Sequence, residues 1–143
     1  MFEMNINIVN PMKHEKNLDV VLLTFLSSIG YMPRIDPQRD FEMAIKSVPY
    51  LLFKECFLER GERWWSIEEL LAYLHTTRPT LYRHLNKLKS LDLLEEKQEG
   101  MNKKYRLRYG DIAKAWTFVE ANVNLAMQNY RIMVEHISSL VRR

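Results

Sequence analysis

Between Arg78 and Ser90 the chain carries Arg78, Thr80, Tyr82, Arg83, His84, Asn86, Lys87 and Lys89, with no carboxylate among them. Guanidinium, ammonium, hydroxyl and amide groups donate hydrogen bonds to phosphate oxygens, and Arg, Asn and Thr also fit the base edges of a major groove. The positive charge is concentrated here. Arg78–Arg108 holds nine Lys and Arg against four Asp and Glu, a surplus of five, whereas the whole chain (21 against 18) has a surplus of three. Clustering matters more than total charge, because neutralising phosphates and releasing counterions supplies most sequence-independent affinity. Residues for bond-breaking chemistry are missing from the sequence. It has no Gly-rich phosphate loop, nucleophile elbow or paired carboxylates. One Cys and four His (His14, His75, His84, His136) show no metal-ligand spacing, and Glu135–His136 reads as an exposed helix pair. A non-enzymatic binding protein without metal or cofactor is expected.

Two helices and a hairpin must position that cationic run. Thr77 is a suitable N-cap, and Pro79 falls in the first turn, where a missing N–H costs nothing. Leu81, Leu85 and Leu88 recur at spacings of four and three, which predicts one buried stripe and leaves Arg78, Thr80, Tyr82, Arg83, His84, Asn86, Lys87 and Lys89 outward. Upstream, Ser66 and Glu69 form an S-x-x-E capping box ahead of Ile67, Leu70, Leu71 and Leu74. Only His75 and Thr76 separate the two helices, so they must cross steeply and His75 must tolerate a tight backbone. Downstream, Leu91–Gln98 and Tyr105–Tyr109 bracket Glu99–Lys104, where Gly100 and Asn102 favour a turn. Tyr105, Leu107 and Tyr109 alternate with Arg106 and Arg108, the pattern of a half-buried strand, which predicts Asn102, Lys103 and Lys104 at or near a basic tip.

The segment SIEELLAYLHTTRPTLYRHLNKLKSLDLLEEKQEGMNKKYRL resembles the winged helix-turn-helix regulators of the ArsR, MarR and PadR type, over about 45 of the 143 residues. The resemblance implies that Arg78, Pro79, Thr80, Tyr82 and Arg83 approach the major groove of double-stranded DNA. Arg83, Lys87, Lys89, Lys103, Lys104 and Arg106 would then supply sequence-independent affinity. Metal sensing is common among ArsR-type proteins, but the ligand spacing it needs is absent from this sequence.

The remaining chain divides into an N-terminal arm and two flanking helical regions. Residues 1–16, broken by Pro11, are expected to be a flexible arm. Residues 17–46 are assigned to N-terminal helices that contribute to dimerisation. Asn17–Ile29 is strongly apolar and closed by Gly30, and a shorter helix opens at Asp36–Pro37 and runs to about Lys46. Residues 47–109 form the expected DNA-binding domain, whose first helix covers Val48–Glu59. Cys56 sits there as a lone, buried small hydrophobe, with a redox-sensing thiol as the alternative. Of the adjacent Trp64 and Trp65, one is expected to pack beneath the wing in place of a short strand. With Trp116 they could instead wall an aromatic effector pocket. Residues 110–143 form a C-terminal helix. Asp111 caps it, and Ile112, Trp116, Val119, Val123, Ala126, Tyr130, Met133, Ile137 and Leu140 repeat at spacings of four and three. About 30 residues at ~1.5 Å each give ~45 Å, too long for the small domain to cover alone, and Phe118, Leu125, Met127, Ile132 and Val134 widen the apolar surface. A dimer interface with a second copy is expected.

The fold class is therefore mainly α with a small β-wing. No apolar run reaches the ~20 residues of a membrane span, and the start lacks a basic-then-apolar leader, which points to the cytoplasm. The functional expectation is a homodimeric repressor that binds a pseudo-palindromic operator and is released by a small organic effector. Two alternatives remain open: a DNA-binding protein without an effector, and a winged helix acting as a protein–protein module.

Overall fold

Asn17 starts the first regular element, its side-chain oxygen accepting the Asp19 amide at 2.9 Å. The computed structural model describes residues 2–34, 36 and 39–142. Helix α1 (Leu18–Ser28) buries Leu22, Leu23 and Leu26. Gly30 then adopts φ 89°, a left-handed conformation open to glycine. The chain reverses there, and the Tyr31 and Met32 amides both donate to Leu26 O at 3.1 and 3.2 Å. The carboxylate of Asp19 accepts from Tyr50 Oη and from Lys54 Nζ, the latter at 2.8 Å, tying α1 to the next helices.

The helix expected from residue 36 to about 46 shrinks to α2 (Phe41–Ala44), with Asp40 rather than Asp36 at the N-cap position. The helical start expected at Pro37 lies outside the described residues. Helix α3 (Val48–Leu51) carries Pro49 in its first turn and continues as a π-helical stretch over Leu52–Leu58. There the Glu59 amide reaches back five residues to Lys54 O at 2.9 Å. The widened turn buries Leu52, Phe53, Cys56 and Phe57 together, so the core takes more of this segment than an ordinary helical stripe would allow.

Strand β1 (Trp65–Ser66) leads into α4 (Ile67–Leu74) and α5 (Arg78–Ser90), followed by β2 (Leu94–Glu99) and β3 (Asn102–Leu107). The antiparallel sheet has the order β1-β3-β2, with Trp65 opposite Tyr105. Trp65 therefore forms the short strand it was expected to replace. Glu99 pairs with Asn102, leaving Gly100 and Met101 as a two-residue turn. This corrects the expected Glu99–Lys104 loop: Lys103 and Lys104 lie within β3, not at the tip. Tyr109, expected in the strand, instead sits past its end at φ 59° in a 3₁₀ turn and is half exposed.

Helix α6 (Ile112–Val141) is 30 residues long, capped by Asp111, whose side chain accepts the Lys114 amide at 3.1 Å. Phe25 and Trp116 meet edge to face at 5.3 Å, joining α6 to α1. Asn122 donates to Asp92 at 2.7 Å, fastening α6 to the turn between α5 and β2. The N-terminal segment has no regular secondary structure but lies along the domain. Phe2 and Met4 pack on the core, the Glu3 amide donates to Ser90 O at 2.8 Å, and Asn7 donates to Ser28 O at 2.9 Å. The first residues of the expected flexible arm are thus anchored. No helix among the described residues is long and apolar enough to cross a membrane.

Candidate nucleic-acid interface

The geometry of this surface starts at the helix caps. Ser66 Oγ accepts the Glu69 amide at 3.1 Å, while Glu69 accepts the Ser66 amide at 3.0 Å and Arg63 at 2.8 Å. These bonds hold Glu69 below the usual carboxylate range. At its other end α4 stops on His75, which takes φ 53° and ψ 47° while its amide donates to Leu71 O. A non-glycine residue there costs on the order of 1 kcal/mol, yet it is what brings the next helix round within three residues. Thr77 then caps α5, accepting the Thr80 amide at 3.4 Å.

Leu81, Leu85 and Leu88 are buried as the spacing requires. His84 is not outward as expected: it is 8% exposed and packs edge-on against Tyr31 at 6.5 Å. Residues 81, 84, 85 and 88 share one side of a helix, and the loop after α1 broadens the cover on that side. The solvent face of α5 carries Arg78, Pro79, Tyr82, Arg83, Asn86 and Lys87, with Thr80 and Lys89 half-buried. Between this face and the hairpin lies a polar cleft of about 460 Å³, lined by residues that include Arg78, Tyr82, Asn86, Lys89, Asn102 and Lys103. Of the residues expected to contact DNA, Arg78, Tyr82, Lys89, Asn102 and Lys103 meet at this cleft.

Carboxylates divide those cations into two groups. Arg78 pairs with Glu68 at 2.9 Å, Lys89 with Glu96 at 3.4 Å, Lys97 with Glu99 at 3.4 Å, Lys104 with Glu99 at 3.6 Å, and Arg106 with Glu95. Arg108 donates to the carbonyls of Asp92 and Leu94. Among the described residues, Arg83, Lys87 and Lys103 have no such partner. The cross-strand partners Glu95 and Glu99 were missed in the sequence because the expected turn was too long. With Gly100–Met101 as the turn, Glu95 falls directly opposite Arg106, and that register was the available signal.

The three tryptophans occupy separate environments. Trp64 is half-buried, with Lys97 and Arg106 over its ring at 4.5 and 4.6 Å. Trp65 is buried and donates to Cys56 O at 2.9 Å, and Trp116 lies on α6. Trp116 lines a cavity between α1 and α6. Burial pushes the Cys56 thiol up to about 12, so it stays protonated at neutral pH.

The heptad residues of α6 also separate into two sets. Ile112, Trp116, Val119 and Val123 pack on the chain's own core, although all four were expected at a subunit interface. Ala126 is intermediate, while Tyr130, Met133, Ile137 and Leu140 are 60, 58, 55 and 50% exposed. Among the described residues no group of three or more His, Cys, Asp or Glu could hold a metal ion. No protein-family model matches the chain, and no curated protein is detectably similar to it.

Proposed function

We propose that this protein is a homodimeric, winged helix-turn-helix transcription regulator that binds a pseudo-palindromic DNA site. In this reading it is a repressor released by a small organic effector. The observation that carries the reading is the carboxylate-free solvent face of α5, presented by the three-residue connection His75–Thr77 next to a hairpin that adds the unpaired Lys103. A helix so presented fits a major groove, and the order helix, strand, helix, turn, helix, hairpin is that of a winged helix. Two such helices from a two-fold dimer match successive grooves ~34 Å apart. The outer half of α6, whose large apolar side chains are at least half exposed, supplies the dimer surface.

The division of cations sets the expected salt response. With three unpaired cations per subunit, a dimer neutralises six phosphates, and the logarithm of affinity falls with that of salt concentration at a slope of about −5. Fluorescence anisotropy on random-sequence duplexes, titrated with salt, measures that slope. A salt-independent signal, or no binding in dilute buffer, rejects the reading. A second reading, a winged-helix protein–protein module, draws on the pairing of Arg78, Lys89, Lys97, Lys104 and Arg106 with carboxylates. It predicts no salt-dependent DNA affinity, so the same titration separates the two.

A further inference from the structure

We propose that the half-open cavity between the N-terminal segment, α1 and α6 binds an aromatic amine, a flat apolar body carrying one positive charge. The cavity measures about 400 Å³, within the range of small-molecule sites. One wall is the edge-to-face pair of Phe25 and Trp116, extended by Val21 and Val123, and Met4 and Val9 close the other side. Such a wall fits an aromatic ring, because offset and edge-on ring contacts add to the simple burial of apolar area. Charge then decides the class of ligand. Among the described residues no Lys, Arg or His lines the cavity, and the one ionisable side chain in its lining is Glu120, four residues after Trp116.

Residues four apart share a helix face, so the Glu120 carboxylate stands one turn beyond the Trp116 ring. Glu120 is exposed and has no ion-pair partner among the described residues. An anionic ligand would meet repulsion there, while an ammonium group gains both the carboxylate and the adjoining aromatic faces. The site also lies at the root of α6, before the half of that helix with exposed apolar residues. As an effector site it rests on the regulator reading above; as a binding site it stands without it.

Calorimetry on the full chain without DNA tests the assignment, using naphthylmethylamine, naphthalenemethanol and naphthoate as matched probes. The amine is expected to bind about tenfold more tightly than the alcohol, the scale of one partly screened charge contact, and the naphthoate not at all. Glu120→Gln should bring the amine down to the alcohol's affinity and leave the alcohol unchanged. Val21→Trp, which fills the cavity, should abolish both, with circular dichroism confirming the fold. The proposal is overturned if none of the probes binds, if naphthoate matches the amine, or if Glu120→Gln keeps the amine preference. It is equally overturned if affinity falls as protein concentration drives association, because a second copy then fills the groove. Amine binding without DNA binding would reject the regulator reading and leave the site intact, and the reverse result would do the opposite.

Discussion

Helix α5 and the outer half of α6 both stand in solvent, with opposite chemistry. On α5 the apolar residues Leu81, Leu85 and Leu88 are covered by the domain, and the solvent side carries groups that water hydrates well. That helix is stable without a partner, so its unpaired cations are free to recognise one. From Leu125 to Val141, α6 leaves nine large hydrophobic residues at least half exposed. Fully burying one such side chain contributes about 1.5–3 kcal/mol, so this surface gains far more from association than from staying wet. The first half of the same helix shows what satisfies it, because Ala115 and Val119 are buried against the domain. Ala126, Tyr130, Met133, Ile137 and Leu140 continue that face at spacings of four and three beyond the domain's edge. In the proposed reading, polar exposure serves as a reading surface. Apolar exposure is an unfinished core.

Three measurements sharpen this contrast. The largest effect is expected from charging the outer half of α6. Met133→Glu with Ile137→Glu should raise the dimer dissociation constant by about four orders of magnitude, since two apolar contacts of roughly 1.5 kcal/mol each are lost from each of two subunits. Sedimentation velocity would read this, while the melting of the α1–β3 domain, dominated by its own core, should barely move. A tight dimer persisting in the double variant would show that α6 is not the interface.

An intermediate effect is expected on α5 and the hairpin. Arg83→Ala should weaken binding to DNA several-fold in a low-salt gel shift, because removing one unpaired cation removes one phosphate contact. Arg106→Ala should weaken it less, since Arg106 is already held by Glu95 and lies on Trp64. Equal losses from the two variants would remove the distinction between paired and unpaired cations.

The smallest effect is a pH dependence of stability. Burial, then the charges of Arg83 and Lys87, lower His84 below its ordinary value near 6.5. Its Nδ1 is buried without a hydrogen-bond partner. Above pH ~6.5 the ring is neutral in both folded and unfolded chains. Below it, the unfolded chain takes up a proton that the folded chain resists, so stability falls as pH drops through the window beneath 6.5. Denaturant titrations at pH 7.5 and pH 5.5 should show this drop, and His84→Leu should flatten it. An unchanged slope in the variant would assign the pH dependence to other groups.

The features legible in the sequence were local ones. The Ser66–Glu69 box, the Thr77 cap, the left-handed His75 and the long uninterrupted α6 each depend on residues within about one helical turn. Less legible was anything that depends on which residues meet across the chain. The hairpin register was drawn too wide, because Gly100, Met101 and Asn102 allow several turn lengths. A change in turn length moves every cross-strand partner, and with it the pairing of Glu95 with Arg106 and of Glu99 with Lys104.

Periodicity in this chain determined that α5 and α6 have apolar stripes and how long those stripes are. Tertiary structure alone decided what covers them. The loop after α1 reaches over α5 and takes in His84, and the domain covers α6 only as far as about Val123. The physical reason is that helical periodicity is set by neighbours three and four residues away. Cover is set by elements that fold onto the helix from distant parts of the sequence.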